Sequence, residues 1–580
     1  MSGNEAVARG AWEAGAAVGV GYPGTPSTEV LENLVRYEGV HCEWAPNEKV
    51  AAEVAAGVSM AGARVLVTMK HVGLNVAADP LFTQAYAGVG GGLVYLVADD
   101  PGMHSSQNEQ DTRNYAAAAK VPLFEPSDST EALAFVKRAF EVSERYNIPV
   151  IVRTTTRVSH SKSLVECGDR EQRLLPAYQK DAARFVMIPA NARNRRVSLA
   201  QRLEELSSCV ESCDENRIEL RDTSLGVITS GIVYQYVRQA LPEASVLKLG
   251  MVFPFPEKLI LDFSSKVDRV AVIEELDPYL RLRVSALGVG VIETGLPCIG
   301  EYTPGIIATA FGVPAPELRE PIKDLPPRPP LMCPGCPHRG VFYALRKLKA
   351  IVTGDIGCYT LGALPPLQAM DSCICMGASI GMAHGMGLVG STDRPVVAVI
   401  GDSTFAHSGL TGLLDMVYNG GAGTVMILDN RTTAMTGHQG NPVSGITLAG
   451  DPAPAVDLEA LVRVIGVASV REVDPHDPAE VLAVLREETA ADHLSVIVAK
   501  APCALLVREK ADPFAVDEDA CIKCGRCISL GCPAISKDPE TSRAVIDATL
   551  CVGCGQCVRV CRSDAIMPSG AACDIGGRWS

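Results

Sequence analysis

Short, uninterrupted apolar runs alternate with longer mixed stretches over residues 1–165. ARVLVTM (63–69), GLVYLVA (92–98) and IPVIVRT (148–154) lack polar alternation, the pattern of strands buried on both faces of a parallel sheet. A charged, irregular stretch over 166–220 interrupts the pattern and predicts a linker or surface excursion. The alternation resumes over 221–323 with LGVITSG, ASVLKLG and DRVAVIEE, a middle α/β domain. Pro-rich DLPPRPPLMCPGCP (324–337) then leads into a further α/β unit over 324–505. Its strands include PVVAVIG (395–401), GTVMILDN (423–430) and LSVIVAK (494–500). CICMGASIGMAHGMGLVG (373–390) is the nearest approach to a membrane span; its glycines and His384 predict a buried helix instead. Residues 511–568 form a small cysteine-rich domain of two similar halves, and 569–580 a tail.

Composition narrows the class. The 580 residues are 47% apolar and 21% charged, ordinary for a soluble globular protein and enough for several domains. A net charge of −15 argues against a nucleic-acid partner, which needs a basic face. The start, MSGNEAVARGAWEAG, lacks the basic-then-apolar order of a signal peptide. A soluble, cytoplasmic protein is expected. Twenty cysteines in such a chain point to metal rather than disulfides.

Eight of them fall in two runs, Cys521-x2-Cys524-x2-Cys527-x4-Cys532-Pro and Cys551-x2-Cys554-x2-Cys557-x3-Cys561. Thiolates at this spacing suit iron–sulfur clusters, and zinc sites rarely use two CxxCxxC triplets. Both runs resemble the bacterial two-cluster ferredoxin pattern, despite one extra residue before Cys532 and Arg562 in place of a proline. That resemblance implies one four-iron cluster on Cys521, Cys524, Cys527 and Cys561, and another on Cys551, Cys554, Cys557 and Cys532.

Gly401-Asp402-Ser403 ends one predicted strand and Asn430 ends the next. The bland reading is a turn between strand and helix. The spacing also resembles the GDG/GDS…N motif of thiamine-diphosphate enzymes. That motif implies Mg²⁺ on the side chains of Asp402 and Asn430 and the carbonyl of Thr432, all oxygens that suit a hard cation. The diphosphate is then expected at the helix N-terminus after Ser403. Asn47-Glu48 before an Ala-rich helix resembles the segment that supplies the activating glutamate to the cofactor's aminopyrimidine; Glu48 must be buried for that role. Its plain alternative is a solvated charge at a helix start.

GYPGTPSTEV (21–30), NEKVAAEVAAG (47–57), TMKHVGLNVAADP (68–80), ADDPGMHSSQNEQD (98–111), MCPGCPHRG (332–340) and DNRTTAMTGHQ (429–439) together resemble the alpha subunit of indolepyruvate ferredoxin oxidoreductase. The resemblance spans the chain outside 166–220. It implies two thiamine-diphosphate-binding-type parallel-sheet domains, a third α/β domain between them and a C-terminal two-cluster ferredoxin-like domain. It also implies oxidative decarboxylation of aryl 2-oxoacids, with coenzyme A as acyl acceptor and ferredoxin as electron acceptor. A smaller beta subunit would complete a hetero-oligomer. Other 2-oxoacid ranges, or a non-oxidative thiamine decarboxylase, are the alternatives; the latter has no use for eight cluster cysteines. Thr25 matches a substrate-side threonine of related enzymes. His71, His407 and His438 are candidates for polarising substrate or moving a proton, and Arg113 for pairing with the substrate carboxylate. Cys333, Cys336, Cys358 and Cys503 match the positions of a third, proximal four-iron cluster in related oxidoreductases. Otherwise they shape a Pro-Gly turn and fill small buried spaces.

Overall fold

The apolar runs of the first 165 residues become the middle of a seven-stranded sheet in a computed structural model that describes residues 1–314, 322, 324–326, 328–390, 392–508 and 511–569. The chain divides into two units, Met1–Ile322 and Lys323–Ser580. Most of the expected C-terminal tail (570–580) lies outside the described residues.

In the first unit the strands are β1 (Val18–Gly21), β2 (His41–Trp44), β3 (Val65–Lys70), β4 (Leu93–Asp99), β5 (Leu123–Phe124), β6 (Val150–Thr155), β7 (Arg217–Glu219), β8 (Asp222–Ser230), β9 (Ala244–Leu249), β10 (Met251–Phe253) and β11 (Val270–Val272). One sheet has the order β10-β5-β6-β4-β3-β1-β2, and a smaller sheet the order β11-β8-β9-β7. β4 and β6 are buried along their whole length, which explains their unbroken apolar runs. From β1 the chain moves outward to β2, then returns to the other side of β1 as β3. The order therefore reverses at β1/β3, and such a crevice at the strand C-termini is where open α/β sheets bind ligands.

The middle domain is locked to this sheet. β10 continues from β9 past Gly250 and pairs antiparallel with β5. Buried charges reinforce the joint. Arg113 donates to Asp111 Oδ2 (2.5 Å), Glu274 Oε2 (2.7 Å) and the Glu275 carbonyl (2.9 Å). Arg153 on β6 donates to Asp99 Oδ2 (2.6 Å) and to Glu125, which accepts from Ser230 on β8 at 3.0 Å. Arg113 is 1% exposed, so it holds the domain joint and is not offered to a substrate carboxylate, contrary to the sequence expectation.

The stretch 166–220 is also more than a linker. Arg170 fastens its exposed first part by donating to the carbonyls of Trp12 (3.0 Å), Ala16 (3.0 Å) and Gly39 (2.8 Å). A 22-residue helix, Pro189–Val210, follows. Its Arg195 and Arg202 donate to the carbonyls of Tyr86 and Ala85 at 3.0 Å each, near the C-terminal end of helix His71–Ala87. Cationic groups are favoured there by the helix dipole.

The second unit is built on a parallel five-stranded sheet, β12 (Ile351–Thr353), β13 (Val396–Gly401), β14 (Gly423–Asp429), β15 (Ser469–Val473) and β16 (Leu494–Lys500), in the order β12-β13-β14-β16-β15. The cysteine-rich segment adds two antiparallel pairs, Phe514–Val516 with Ile566–Pro568 and Ile535–Lys537 with Ala544–Ile546. It is not a separate bead. Leu530, Val560 and Ile566 belong to the same buried apolar cluster as Val341, Val352 and Val399 of the sheet. The glycine-rich stretch forms helix Ala378–Val389, but Leu388 and Val389 are exposed, so only part of it is buried as expected. Among the described residues no helix is long and apolar enough to cross a membrane.

Arg113→Met should destabilise the first unit by about 3–5 kcal/mol, because it strands Asp111 and Glu274 without their cation. Denaturant unfolding of the full chain measures this. A loss below about 1 kcal/mol, the range of ordinary surface changes, would contradict the role assigned to the joint.

Candidate functional site

In the first unit, candidate residues gather at the β1/β3 edge. Asn47 caps helix Glu48–Met60, its Oδ1 accepting from the Val50 N–H at 2.9 Å. That cap sets Glu48 in the first turn, where it is 5% exposed. Its carboxylate lies against the backbone of Gly73: a Cβ on that glycine would fall 2.5 Å from Glu48 Oε1. Glu48 is thus buried, as the glutamate role requires. Thr25 lies half-buried in the loop after β1. Lys70 and His71 leave the end of β3. Lys70 was not foreseen from sequence. Burial pulls its pKa down to about 8, while Asp100 and Glu48 push it up, so Lys70 and Glu48 share one electrostatic environment. His71 is 1% exposed; its Nε2 contacts the Asn108 carbonyl at 3.1 Å and its Nδ1 has no hydrogen-bond partner. Burial lowers its pKa, which favours the neutral ring.

In the second unit the matching edge carries the GDS and Asn positions. Asp402 directly follows β13, and Asn430 follows β14. Asp402 Oδ1 accepts from the Ser403 N–H at 2.6 Å, whereas Oδ2 is buried with no hydrogen-bond partner. Burial, then the charge of Asp429, pushes the Asp402 pKa up to about 7. The Arg431 N–H and the Asn441 side chain pull it down without reaching hydrogen-bond geometry. A buried, half-satisfied carboxylate at a strand end suits a cation. Asn430 Oδ1 accepts from the Thr432 N–H at 3.2 Å, and its Nδ2 meets His338 Nε2 at 3.3 Å. His338 was also missed. Burial holds its pKa near 4, so its ring is neutral and can accept from the Asn430 amide. Thr433 Oγ1 donates to Ser403 Oγ at 2.9 Å, tying the two loops together. After Thr404 the chain makes one wide π-type turn, Phe405–Gly409, before helix Leu410–Tyr418. The expected helix start after Ser403 is therefore a locally widened one, a form often found at functional sites. His407, 5% exposed, lies in that turn with its Nδ1 2.5 Å from Ser408 Oγ.

Twelve of the twenty cysteines fall into three groups. Cys521, Cys524, Cys527 and Cys561 line one cavity of the tail. Cys532, Cys551, Cys554 and Cys557 line another. The fourth cysteine of each run thus sits with the other run's triplet. Among the described residues no three His, Cys, Asp or Glu side chains converge on a single metal ion. Each set of four thiols instead rims a cavity, which suits a cluster whose thiolates ligate different irons. The third group comprises Cys333, Cys336, Cys358 and Cys503. Cys358 is pushed up to about 11 by burial, then by Cys503 and Cys333. Cys336 is pushed up to about 12 by burial, and Cys333 and Cys358 add to that. Cys358 is therefore within electrostatic range of the other three. Cys503 also donates its N–H to the Asn430 carbonyl at 3.1 Å, which puts this group beside the Asp402 edge. Half-buried His438 stands 3.7 Å from Cys503 Sγ.

Residues 9–198 match the family described as pyruvate flavodoxin/ferredoxin oxidoreductase, thiamine diP-bdg. Residues 355–499 match the thiamine pyrophosphate enzyme C-terminal TPP binding domain, and 514–562 the 4Fe-4S dicluster domain. The indolepyruvate oxidoreductase subunit IorA of Archaeoglobus fulgidus is 41% identical, with 98% of this chain and 97% of that one aligned. The protein of the same name from Methanothermobacter thermautotrophicus is 42% identical over the same shares. A solved 2-oxoglutarate:ferredoxin oxidoreductase from Magnetococcus marinus aligns at TM-score 0.44 and 16% identity, covering 54% of this chain and 64% of that one. With a thiamine-diphosphate-binding edge, a 4Fe-4S dicluster segment and relatives aligned over nearly their whole length, this chain belongs to the indolepyruvate oxidoreductase subunit IorA family, oxidoreductases that act on 2-oxoacids.

Proposed function

We propose that the chain oxidatively decarboxylates aryl 2-oxoacids of the indolepyruvate and phenylpyruvate type. CO₂ is released, the acyl group passes to the coenzyme A thiol as arylacetyl-CoA, and two electrons leave singly through the iron–sulfur clusters to ferredoxin. The observation that carries this reading is the buried, unpartnered Asp402 Oδ2, with the Asn430 backbone bonded to Cys503 beside it. A thiamine-type site with the Cys503 backbone bonded to its Asn430 carbonyl fits single-electron oxidation better than simple aldehyde release. The aryl preference rests on the name of the relatives. A smaller beta subunit, a hetero-oligomeric assembly and a cytoplasmic setting belong to the same proposal.

Thiamine diphosphate, when bound, supplies the nucleophilic carbon and the electron sink for decarboxylation. The side chains of Asp402 and Asn430 and the carbonyl of Thr432 would hold Mg²⁺ on the diphosphate, next to Gly401 and Ser403. His338 holds the amide nitrogen of Asn430, so that the lone pair of its oxygen not taken by the Thr432 N–H would be open to the cation. Glu48, buried against Gly73, would donate a hydrogen bond from its carboxyl group to the ring nitrogen of the aminopyrimidine and so activate the bound cofactor. Thr25 and neutral His71 line the same edge of the first unit and would orient the substrate carbonyl; His438 would serve proton movement beside Cys503. Cys333, Cys336, Cys358 and Cys503 would hold a third four-iron cluster as first electron acceptor.

Glu48→Gln should lower 2-oxoacid turnover by about 10²–10⁴-fold, the range for loss of an acid–base group, and leave the cluster absorbance unchanged. Full activity in that variant would remove Glu48 from the mechanism. Asp402→Ala should purify with little thiamine diphosphate or Mg²⁺, read by mass spectrometry and metal analysis; wild-type content would refute the cation site. In anaerobically purified protein, Cys358→Ser combined with Cys503→Ser should lose about four irons per chain, one cluster's worth. An unchanged iron count would leave the third group as ordinary buried thiols.

A further inference from the structure

A buried cation with no counter-ion among the described residues stands beside one of the cluster cavities. Arg339 is 3% exposed and lies in the first turn of helix His338–Leu348, three residues after Cys336. Its Nη1 donates to the Leu530 carbonyl at 3.0 Å and to the Gly531 carbonyl. Its Nη2 donates to the carbonyls of Met332 at 2.7 Å and Cys333 at 3.0 Å. All of these acceptors are neutral. Its Nε is buried with no hydrogen-bond partner. A guanidinium does not shed its proton in proteins, so the full charge stays at this depth. Leaving such a charge unpaired costs several kcal/mol per ion unless something nearby repays it.

The cavity supplies the repayment. Arg339 lines it together with Cys532, Cys551, Cys554 and Cys557. The same cavity abuts the Cys333–Cys336 turn: a Cβ on Gly335 would fall 3.6 Å from the Cys554 Cβ and 2.4 Å from Val552 Cγ2. Gln556 Nε2 also donates to the Cys336 carbonyl at 3.0 Å. This cavity is therefore the tail cavity in direct contact with the catalytic sheet unit. The other tail cavity has cations of a different kind, exposed Lys523 and half-buried Arg526, which solvent screens.

We propose that Arg339 is the tuning residue of the cluster held by Cys532, Cys551, Cys554 and Cys557: its uncompensated buried charge stabilises the reduced cluster and raises its reduction potential, while its fork fastens the tail to the Cys333–Cys336 turn. The proposal rests on the reading of those four cysteines as one cluster. Reduction adds one negative charge, and a fixed positive charge at close range in a low-dielectric site favours it. Electrons leaving the sheet unit then meet the more readily reduced cluster first.

An EPR-monitored redox titration of the full-length protein, purified anaerobically with its clusters, tests this. Cys554→Ser first identifies which signal belongs to the cluster of Cys532, Cys551, Cys554 and Cys557; if no cluster signal changes, the ligand assignment itself fails. Arg339→Gln should shift that signal's midpoint to more negative potential and leave the other tail cluster in place. Arg339→Lys keeps the charge and should titrate near wild type. Should the Gln variant not retain its iron, Arg339→Met provides the second neutral side chain. A neutral variant with full iron and an unmoved midpoint overturns the proposal. So does a Lys variant shifted as far as the neutral one, because hydrogen-bond geometry and not charge would then set the potential.

Discussion

A carboxylate oxygen buried at the end of β13, with no hydrogen-bond partner among the described residues, sets the terms for the second unit. An unmet buried acceptor costs about 1–3 kcal/mol, and an ionised one costs more. Folds keep such groups where a ligand repays them. Asp402 Oδ2 is held in that state by its neighbours: Oδ1 is fixed by the Ser403 N–H, and Asp429 raises the cost of a second bare charge. The parallel register places Gly401 opposite Leu428, so Asp402 and Asn430 emerge at one sheet edge. Buried His338 then decides which end of the Asn430 amide faces inward. The Asn430 carbonyl takes the Cys503 N–H, and so the Asp402 edge also positions a candidate cluster ligand.

Three buried arginines show how differently one side chain can be accommodated. Arg113 is paired with Asp111 and Glu274, which keep its pKa well above the ordinary value although burial alone would lower it. It serves the joint between sheet and middle domain. Arg202 has only carbonyls as partners, and burial pulls it down to about 10. Two of those carbonyls, Ala85 and Tyr86, belong to the C-terminal end of helix His71–Ala87, whose dipole favours a cation. Arg339 has carbonyls too, but they come from the Cys333–Cys336 turn and from the tail, and thiols stand across the cavity from it. The surroundings, more than the burial, mark Arg339 as part of the redox machinery.

The strands were legible because parallel strands buried on both faces leave an apolar run that needs no partner to be recognised, as in β4 and β16. The helix Pro189–Val210 was not legible for the opposite reason. Its buried stripe is Leu199, Arg202, Leu206 and Val210, and an arginine in the stripe erases the apolar period. Glu48 and Asp402 could be picked out by local motif, since each sits at a helix or strand end marked by its own neighbours. Lys70, His338 and Arg339 could not. His338 acts on a residue 92 positions away and Arg339 on carbonyls 191 and 192 positions away, contacts that exist only once the sheet edge and the tail have packed. MCPGCPHRG could be read as a cysteine motif, but the His and Arg that follow the cysteines gain their roles from tertiary partners.

The cysteine-rich tail looks detachable in sequence, a repeat after a linker. Its packing argues otherwise. Leu530, Val560 and Ile566 complete an apolar cluster that begins with Val341 and Val399, so removing the tail would expose the sheet unit's own core. A protein interior packs like a crystal, and elements that share a core keep fixed separations. Electron transfer between clusters depends on just such separations. Val552 packs against Gly335 and Gln556 holds the Cys336 carbonyl, while the fork of Arg339 reaches carbonyls on both sides. The distance from the Cys333–Cys336 turn to the inner tail cavity is therefore set by core packing and not by a hinge. A chain that passes electrons through iron–sulfur clusters gains from this, because the contact between the Cys333–Cys336 turn and the inner tail cavity is held both by packing and by the hydrogen bonds of Arg339 and Gln556.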